Sequence, residues 1–184
     1  RTRGLLLPLR CVAGGTKQHG CARNAGRSRN KGVEISLQAR PVNSLVVHMN
    51  YGYTDARFVH YKKEERGTLK DYGGNYLPMV PCHTFSLTAG YTFYNICSWI
   101  DRLTLNGGVS ATGPIYWYED NQAKQNLYAL VNLKIGASKG NFTWEVWSKN
   151  LTNTDYLSYY FVTSKAYAQK GKPITLGTSV SVRL

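Results

Sequence analysis

The side chains that most often carry out catalysis are scattered in this sequence. Its four histidines are His19, His48, His60 and His83. None of them follows a serine and an acid at a spacing that indicates a nucleophile with its base. We therefore expect no catalytic residues and no enzymatic activity.

The cysteines form no pattern typical of a metal site either. They are Cys11, Cys21, Cys82 and Cys97. None belongs to a C-x-x-C pair, and Cys11 and Cys21 with His19 lack the second close pair that a structural zinc site needs. The sequence predicts no metal and no cofactor.

Two runs of aromatic residues are the best candidates for contact with a ligand. The first is Tyr116, Trp117 and Tyr118, and the second is Tyr159, Tyr160 and Phe161. Aromatic rings stack on planar or aryl groups, so both runs are candidate substrate-contacting residues. Packing within loops, or at a membrane interface, is the simpler interpretation of each run.

The elements that must position these runs are β-strands. From Val33 to the chain end, apolar and polar residues alternate with period two, which predicts strands with one apolar and one polar face. The seven predicted strands lie at 33–40, 45–54, 85–93, 103–111, 127–135, 142–149 and 174–184.

The connections between these strands alternate in length. The short ones are 41–44, 94–101 and 138–141, and the long ones are 59–82, 113–124 and 151–173. Alternate connections of an antiparallel meander lie at the same end, so all long loops share one end of the sheet. Short periplasmic turns opposite longer extracellular loops are typical of outer-membrane barrels. Both aromatic runs fall in long loops.

The two faces of the predicted strands differ in charge. The apolar strips contain no charged residue, whereas the opposite face includes Glu34, Arg40, His48, Glu145 and Lys149. Strands that face lipid need such a clean strip, because one charge there costs about 2–4 kcal/mol. A soluble sandwich core would show the same pattern.

Aromatic residues favour the membrane interpretation, because they cluster at both ends of the apolar strips. Tyr51, Tyr53 and Phe85 lie towards the long loops. Tyr91, Phe93, Phe142 and Trp144 lie towards the short turns. Two such girdles are expected at the two membrane interfaces.

The net charge of +13 is concentrated near the start of the chain. Residues 1–31 contribute +8 of it, and residues 1–23 show no periodicity, so they are expected to be an irregular basic segment. No apolar run approaches the ~18–20 residues of a membrane helix, and none indicates a signal peptide. A basic segment can bind nucleic acid, although a solvated tail is the simpler interpretation.

Several segments together carry a resemblance to a known family. They are Asn24–Glu34, Ala39–Pro41, Tyr51–Phe58, Gly74–Phe85, Gly113–Asn121 and Lys149–Tyr156, followed by the amphipathic last strand. Over residues 24–184 the sequence resembles the C-terminal end of a TonB-dependent outer-membrane receptor, most like those of Bacteroidetes. Residues 1–23 do not fit the family.

This resemblance implies an all-β fold, an antiparallel up-and-down transmembrane β-barrel of 22 strands in the bacterial outer membrane, of which about seven lie here. Such receptors import ferric siderophores, haem or cobalamin, with energy passed through TonB to a plug inside the barrel. Glu34, Arg40, His48, Glu145 and Lys149 would then face the lumen and the plug. Outer-membrane lipid would surround the barrel.

The sequence departs from the family in three respects. It holds about seven strands, no plug or TonB-binding segment can be identified, and it ends on Leu184 where the family usually has phenylalanine. The barrel-assembly machinery would contact Ile174–Leu184. We expect an incomplete barrel that is not transport-competent alone, derived from a longer gene by truncation or frameshift, whose plug and upstream strands are missing.

Two other classes of protein remain as alternatives. The first is a passive porin-like or adhesin-like barrel. The second is a soluble basic β-protein that binds nucleic acid through residues 1–31, which predicts affinity that falls steeply with salt. We expect no nucleic-acid partner.

Overall fold

A computed structural model describes residues 26–65 and 67–184, and within these ranges all regular structure is β-strand. The strands are β1 (Arg27–Val42), β2 (Leu45–His60), β3 (Lys62–Glu65), β4 (Thr68–Asp71), β5 (His83–Cys97), β6 (Ile100–Gly113), β7 (Ile115–Tyr116), β8 (Lys124–Gln125), β9 (Tyr128–Lys139), β10 (Phe142–Lys149), β11 (Leu157–Val162), β12 (Ala166–Lys170) and β13 (Thr175–Val182). The predicted irregular segment 1–23 lies outside the described residues.

Seven of these strands form one antiparallel sheet in the order β1-β2-β5-β6-β9-β10-β13. This confirms the seven strands predicted from alternation, and each strand pairs with the next sheet strand along the chain. The strands β1 and β2 extend beyond the prediction, to Arg27 and His60. Their extra residues are polar on one face and mixed on the other, so hydrophobic alternation could not mark them.

The strand register brings the predicted apolar strips into a single face. Ile35 pairs with Tyr51, Tyr51 with Phe85, and Phe85 with Ala111. The same face continues across β9, β10 and β13, where Trp144 pairs with Val180. Because directly paired residues point to the same side, this outward face is continuous from β1 to β13.

The outward face is exposed rather than packed. Val33 keeps 56% of its surface and Val180 keeps 59%. A sandwich core would bury these side chains against a second sheet, and the described residues provide no such sheet. Large exposed apolar surfaces mark contact with a membrane or a partner, so the membrane interpretation of the strips is supported by their packing.

The buried residues lie elsewhere, at the long-loop end. The most buried apolar side chains among the described residues are Ala56, Phe58, Tyr72, Cys82 and Trp117. They belong to the end of β2 and to the loops beyond it. The packed part of the structure is therefore a small core between strand ends and long loops.

Three tight turns close the opposite end of the sheet, at 43–44, 98–99 and 140–141. Gly140 has φ +52°, a left-handed conformation that glycine adopts at little cost. The Asp101 carboxylate accepts hydrogen bonds from Lys139 Nζ (2.7 Å) and from the Gly140 N–H (2.8 Å). This carboxylate thus ties two neighbouring turns together.

The three long loops each contain a small hairpin that the sequence did not predict. These hairpins are β3–β4, β7–β8 and β11–β12. Lys62–Glu65 is wholly charged and Ile115–Tyr116 has two residues, so neither has an alternation to detect. The loops are long, as predicted, but they are ordered by pairing.

The sheet is open within the described residues, because β1 pairs only with β2 and β13 only with β10. No helix in this part of the chain is long and apolar enough to cross a membrane.

Candidate functional site

The polar face of the sheet carries a groove of about 740 Å³. Strands β2, β5, β6, β9, β10 and β13 all contribute to its walls. Three of the five predicted lumen residues, His48, Glu145 and Lys149, line it. Gly90 and Gly108 lie on the polar face and form part of its floor, where the absence of side chains leaves room.

The charges in this groove are paired. Lys134 Nζ lies 2.6 Å from Glu145 Oε1, and the Ser179 hydroxyl donates to Glu145 Oε2 over 3.3 Å. These contacts join β9, β10 and β13 on the polar face. The carboxylate of Glu145 is thereby held in a fixed position rather than left to solvent.

A tryptophan and a glycine shape one end of the groove. A Cβ added to Gly177 would clash with Cζ2 of Trp147, so this ring occupies the space that a side chain on β13 would take. Lys149 Nζ lies 5.4 Å from the centroid of the same ring, within the range of a cation–π contact. The alternation placed Trp147 on the polar face, but nothing in the sequence indicated its glycine partner.

The other two predicted lumen residues lie apart from this groove. Glu34 lines a smaller depression of about 220 Å³ between β1, β2, β5 and β6. Arg40 donates from Nε (3.2 Å) and Nη2 (2.8 Å) to the carbonyl of Asn43. Arg40 therefore stabilises the β1–β2 turn and lines neither cavity. The five residues do not form one cluster.

The two predicted aromatic runs meet at the long-loop end. The rings of Trp117 and Tyr159 lie edge to face with centroids 6.3 Å apart, and those of Tyr118 and Tyr160 lie 6.2 Å apart in the same manner. The Tyr118 hydroxyl also accepts a hydrogen bond from the Val162 N–H. The second and third long loops are thus held together by their aromatic residues.

Further rings extend this aromatic cluster in both directions. Phe161 lies 5.8 Å from Tyr159 and stacks on Tyr167 at 5.0 Å. Tyr116 turns to the other side and stacks on Tyr76 at 5.0 Å. Trp117 is buried, and its indole N–H has no acceptor among the described residues. Trp117 therefore forms the buried part of the aromatic cluster, whereas Tyr159 and Phe161 are exposed.

All three long loops enclose a cavity of about 390 Å³ beside the aromatic cluster. Its walls combine carboxylates, a lysine and two phenols. The lining residues are Lys63, Glu65, Tyr72, Tyr118, Glu119, Asp120 and Val162. The sequence did not predict this three-loop cavity, because its lining residues are spread over about a hundred positions. Lys63, Glu65 and Tyr72 come together only through the β3–β4 hairpin, which was not predicted either.

The charges of the three-loop cavity form a network. Lys63 Nζ lies 3.4 Å from Glu65 and 3.7 Å from Glu119, and Lys70 Nζ lies 3.1 Å from Glu65. The hydrogen bond from Lys70 holds the pKa of the Glu65 carboxyl below its ordinary value. Burial raises the pKa of the Tyr72 phenol, so Tyr72 remains a neutral donor at physiological pH.

Two asparagines fix the loops that carry this site. Asn121 Oδ1 accepts from the Tyr76 N–H over 2.6 Å, and its Nδ2 donates to the Tyr76 carbonyl over 3.0 Å. Asn150 Nδ2 donates to the carbonyls of Thr154 and Lys172, both over 3.0 Å. Both asparagines have positive φ, which asparagine tolerates better than most residues. Both also lie in segments that carry the family resemblance.

Comparison with known proteins identifies the family. Residues 3–165 match the model of the family described as TonB dependent receptor-like, beta-barrel. The chain belongs to this family. The match begins within the basic segment 1–23, and the predicted boundary at residue 24 stays a prediction. Membership places this TonB-dependent receptor chain in the bacterial outer membrane.

A curated relative is the ferrichrome outer membrane transporter/phage receptor of Escherichia coli. It is 32% identical over 145 residues, which make up 75% of this chain and 18% of that protein. The chain therefore spans less than a fifth of the length of this relative.

Solved receptor structures share the fold. The ferric yersiniabactin uptake receptor of Yersinia pestis superposes with a TM-score of 0.75 at 24% identity, covering 86% of this chain and 24% of that one. A siderophore receptor of Acinetobacter baumannii gives 0.68 at 20% identity, covering 85% and 22%. The ferric preacinetobactin receptor of the same species gives 0.63 at 22%, covering 86% and 22%.

These relatives come from three species outside Bacteroidetes, so the predicted likeness to receptors of that group stays a prediction. The roles of the aromatic and polar residues also stay predictions. No group of three histidine, cysteine or acidic side chains suited to a metal occurs in residues 26–65 and 67–184.

Proposed function

We propose that this chain forms seven barrel strands of a receptor that imports a ferric siderophore, with the long loops as its outer ligand-contacting surface. The observation that carries the proposal is the convergence of both aromatic runs with the three-loop cavity at one end of the sheet. A site with exposed rings, phenols and paired charges suits a chelate that has aryl and hydrogen-bonding groups.

The relatives support the choice of ligand class. The Escherichia coli protein is a ferrichrome transporter, and the Yersinia pestis protein takes up ferric yersiniabactin. Haem and cobalamin are the other ligands that the family resemblance implied, and they serve as competitors in the test.

The polar groove is proposed to face the plug of the complete receptor. The plug would contact Glu145 and Lys149, and TonB would act on this plug rather than on the strands described above. Since transport needs the plug, we propose that this chain is not transport-competent by itself. The last segment, Ile174–Leu184, is the part that the barrel-assembly machinery would contact.

The test is binding of ferric siderophores to the receptor in outer membranes. Replacing Tyr118 and Tyr160 with alanine removes both rings of one edge-to-face pair from the proposed ligand-contacting surface. Loss of one aromatic contact with the ligand, worth about 0.5–1.5 kcal/mol, should lower the affinity about 2- to 13-fold. Tyr94→Ala is the control, because Tyr94 is an exposed aromatic at the short-turn end.

The outcomes separate the candidate functions. Equal affinity of wild type and double variant would exclude these rings from the site. Displacement of the ferric siderophore by haem or cobalamin at lower concentration would reassign the ligand. Uptake that persists after the proton motive force is collapsed would favour a passive porin-like barrel.

A further inference from the structure

Three arginines lie on the polar face at the short-turn end of the sheet, outside both the polar groove and the three-loop cavity. They are Arg40, Arg102 and Arg183. Arg102 and Arg183 each lie four residues along a strand from a residue that lines the polar groove, Asn106 and Ser179 respectively. Residues an even number of positions apart on a strand share a face. These three arginines define a basic rim at the short-turn end.

The basic rim has no free carboxylate to balance its charge. The three short turns, 41–44, 94–101 and 138–141, contain one acidic residue, Asp101. Its carboxylate already accepts hydrogen bonds from the Lys139 ammonium and the Gly140 N–H. The positive charge of the rim therefore remains unopposed.

The guanidinium groups of the rim have donors to spare. Arg102 and Arg183 are exposed, and their side chains form no ion pair or hydrogen bond with residues 26–65 and 67–184. Arg40 donates from two of its nitrogens to the Asn43 carbonyl, and its remaining N–H groups have no acceptor within the same ranges. All three are available to an anionic partner.

The arginines are spread evenly across the sheet. Arg40 lies on the first strand in the sheet order, Arg102 on the fourth, and Arg183 directly follows the seventh. Neighbouring strands lie about 4.8 Å apart, so successive arginines are separated by roughly 14 Å across the sheet. Such spacing suits an extended partner with repeated negative groups better than a single small anion.

Exposed aromatic side chains accompany the basic rim. Tyr94 pairs with Arg102, so both lie on the polar face, and Tyr94 keeps 62% of its surface exposed. Trp99 lies in the β5–β6 turn and keeps 84%. A register shift after Tyr94 and the positive φ of Asn95 mark a bulge before this turn. Because Tyr94 lies on the face opposite the apolar strips and Trp99 lies beyond the strand ends, the aromatic girdle of the outward face accounts for neither.

We propose that the basic rim, with Tyr94 and Trp99, binds peptidoglycan, a glycan polymer whose peptide stems carry repeated carboxylates. Short turns are periplasmic in outer-membrane barrels, and the periplasm is the compartment that holds this polymer. Guanidinium groups bind carboxylates through charge-assisted, often bidentate hydrogen bonds. The two aromatic rings offer flat apolar surfaces to the C–H faces of sugar rings. This surface is independent of the transported ligand.

The test is co-sedimentation of the receptor, purified from outer membranes in detergent, with isolated peptidoglycan sacculi. We expect wild type to sediment with the sacculi and R102Q/R183Q to bind about fivefold more weakly or less, because two charge-assisted contacts are lost. R102Q alone leaves the last strand intact and should still weaken binding about twofold. R102K/R183K keeps both charges and should bind more tightly than R102Q/R183Q. W99A should also weaken binding, because one stacking surface is removed.

The matched control is K124Q/K165Q, which removes two exposed lysines from the long loops and should sediment like wild type. Equal loss in this control, or unchanged binding in both R102Q and R102Q/R183Q, would overturn the proposal. Soluble muropeptides should displace the receptor from sacculi. Displacement by polyglutamate but not by muropeptides would assign the rim to an acidic protein instead. Ferric siderophore binding should be unaltered in R102Q/R183Q, so this proposal and the proposed function fail separately.

Discussion

Asn150 is the residue on which the third long loop most depends. It keeps 3% of its surface exposed. Its Oδ1 accepts from the Thr154 N–H over 2.8 Å, and its own N–H donates to Asn132 Oδ1 over 3.1 Å. With its two bonds to the Thr154 and Lys172 carbonyls, Asn150 links the ends of β9 and β10 to the residues just before β13.

Replacement of Asn150 with aspartate tests this role at nearly constant size. Aspartate keeps the acceptor for Thr154 but cannot donate to the two carbonyls, which are left facing a carboxylate. We expect the free energy of unfolding to fall by about 2–4 kcal/mol. It is measured by urea unfolding in lipid vesicles. Asn141→Asp, in an exposed turn, is the control and should change the free energy of unfolding by less than about 0.5 kcal/mol.

The ion pair between Glu65 and Lys70 gives the three-loop cavity a defined pH dependence. The pKa of Glu65 is lowered by the hydrogen bond from Lys70, and the pKa of Lys70 is raised by the same bond. The stabilisation that Glu65 gives the folded loop is therefore complete at pH values above its ordinary pKa of 4.5. It is lost as the pH falls through the lowered pKa of the folded state.

We expect the β3–β4 hairpin to keep its amide protection from exchange at neutral pH and to lose part of it only as the pH falls below 4.5, the ordinary pKa of the glutamate side chain. Glu65→Gln should remove this loss of protection at acidic pH and leave the rest of the pH dependence of exchange unchanged. The measurement is hydrogen exchange at residues 62–71 as a function of pH. A step that persists in Glu65→Gln would assign the titration to another group.

At the scale of the strands, alternation predicted most of the fold because the two faces of the sheet differ in polarity. Side chains alternate between the faces, so each strand that separates an apolar from a polar environment shows a period of two in its sequence. Strand existence, order and facing were all recoverable in this way. The loop hairpins were not, because solvent imposes no such pattern on Lys62–Glu65 or on Ala166–Lys170.

The candidate site was recoverable only in part, for a related reason. The aromatic runs stood out by composition, but their meeting depends on Asn121, Asn150 and the hairpins. The three-loop cavity depends on long-range placement that no local spacing reveals. Arg40 shows the opposite case: the alternation predicted a lumen-facing side chain, yet Arg40 lies beside a turn and its guanidinium donates to the Asn43 carbonyl.

A pair of adjacent substitutions on β5 tests the assignment of the two faces. Leu87 pairs with Met49 and Val109 on the outward face, whereas Thr88 lines the polar groove. An arginine at 87 should cost about 2–4 kcal/mol in the membrane, while an arginine at 88 should be tolerated. The yield of folded protein in outer membranes is the measurement, and equal loss in both variants would contradict the assignment.

At the scale of the molecule, the sheet separates two environments. One face is apolar and exposed from β1 to β13, the other holds paired charges and a groove, and the loops at one end carry rings and a cavity. We propose that this division is that of a receptor barrel, with lipid outside, a polar interior and a ligand at the outer mouth. The division of faces is the central claim of this account.

Spin labels along β5 test that division most directly. Single cysteines at residues 86–91, in a protein whose native cysteines are replaced by serine, are labelled in outer membranes that contain the assembled barrel. Power saturation then compares collision with oxygen, which concentrates in lipid, and with a water-soluble nickel chelate. We predict oxygen maxima at 87, 89 and 91 and nickel maxima at 86, 88 and 90. Uniform access along the strand, or the opposite alternation, would contradict the account.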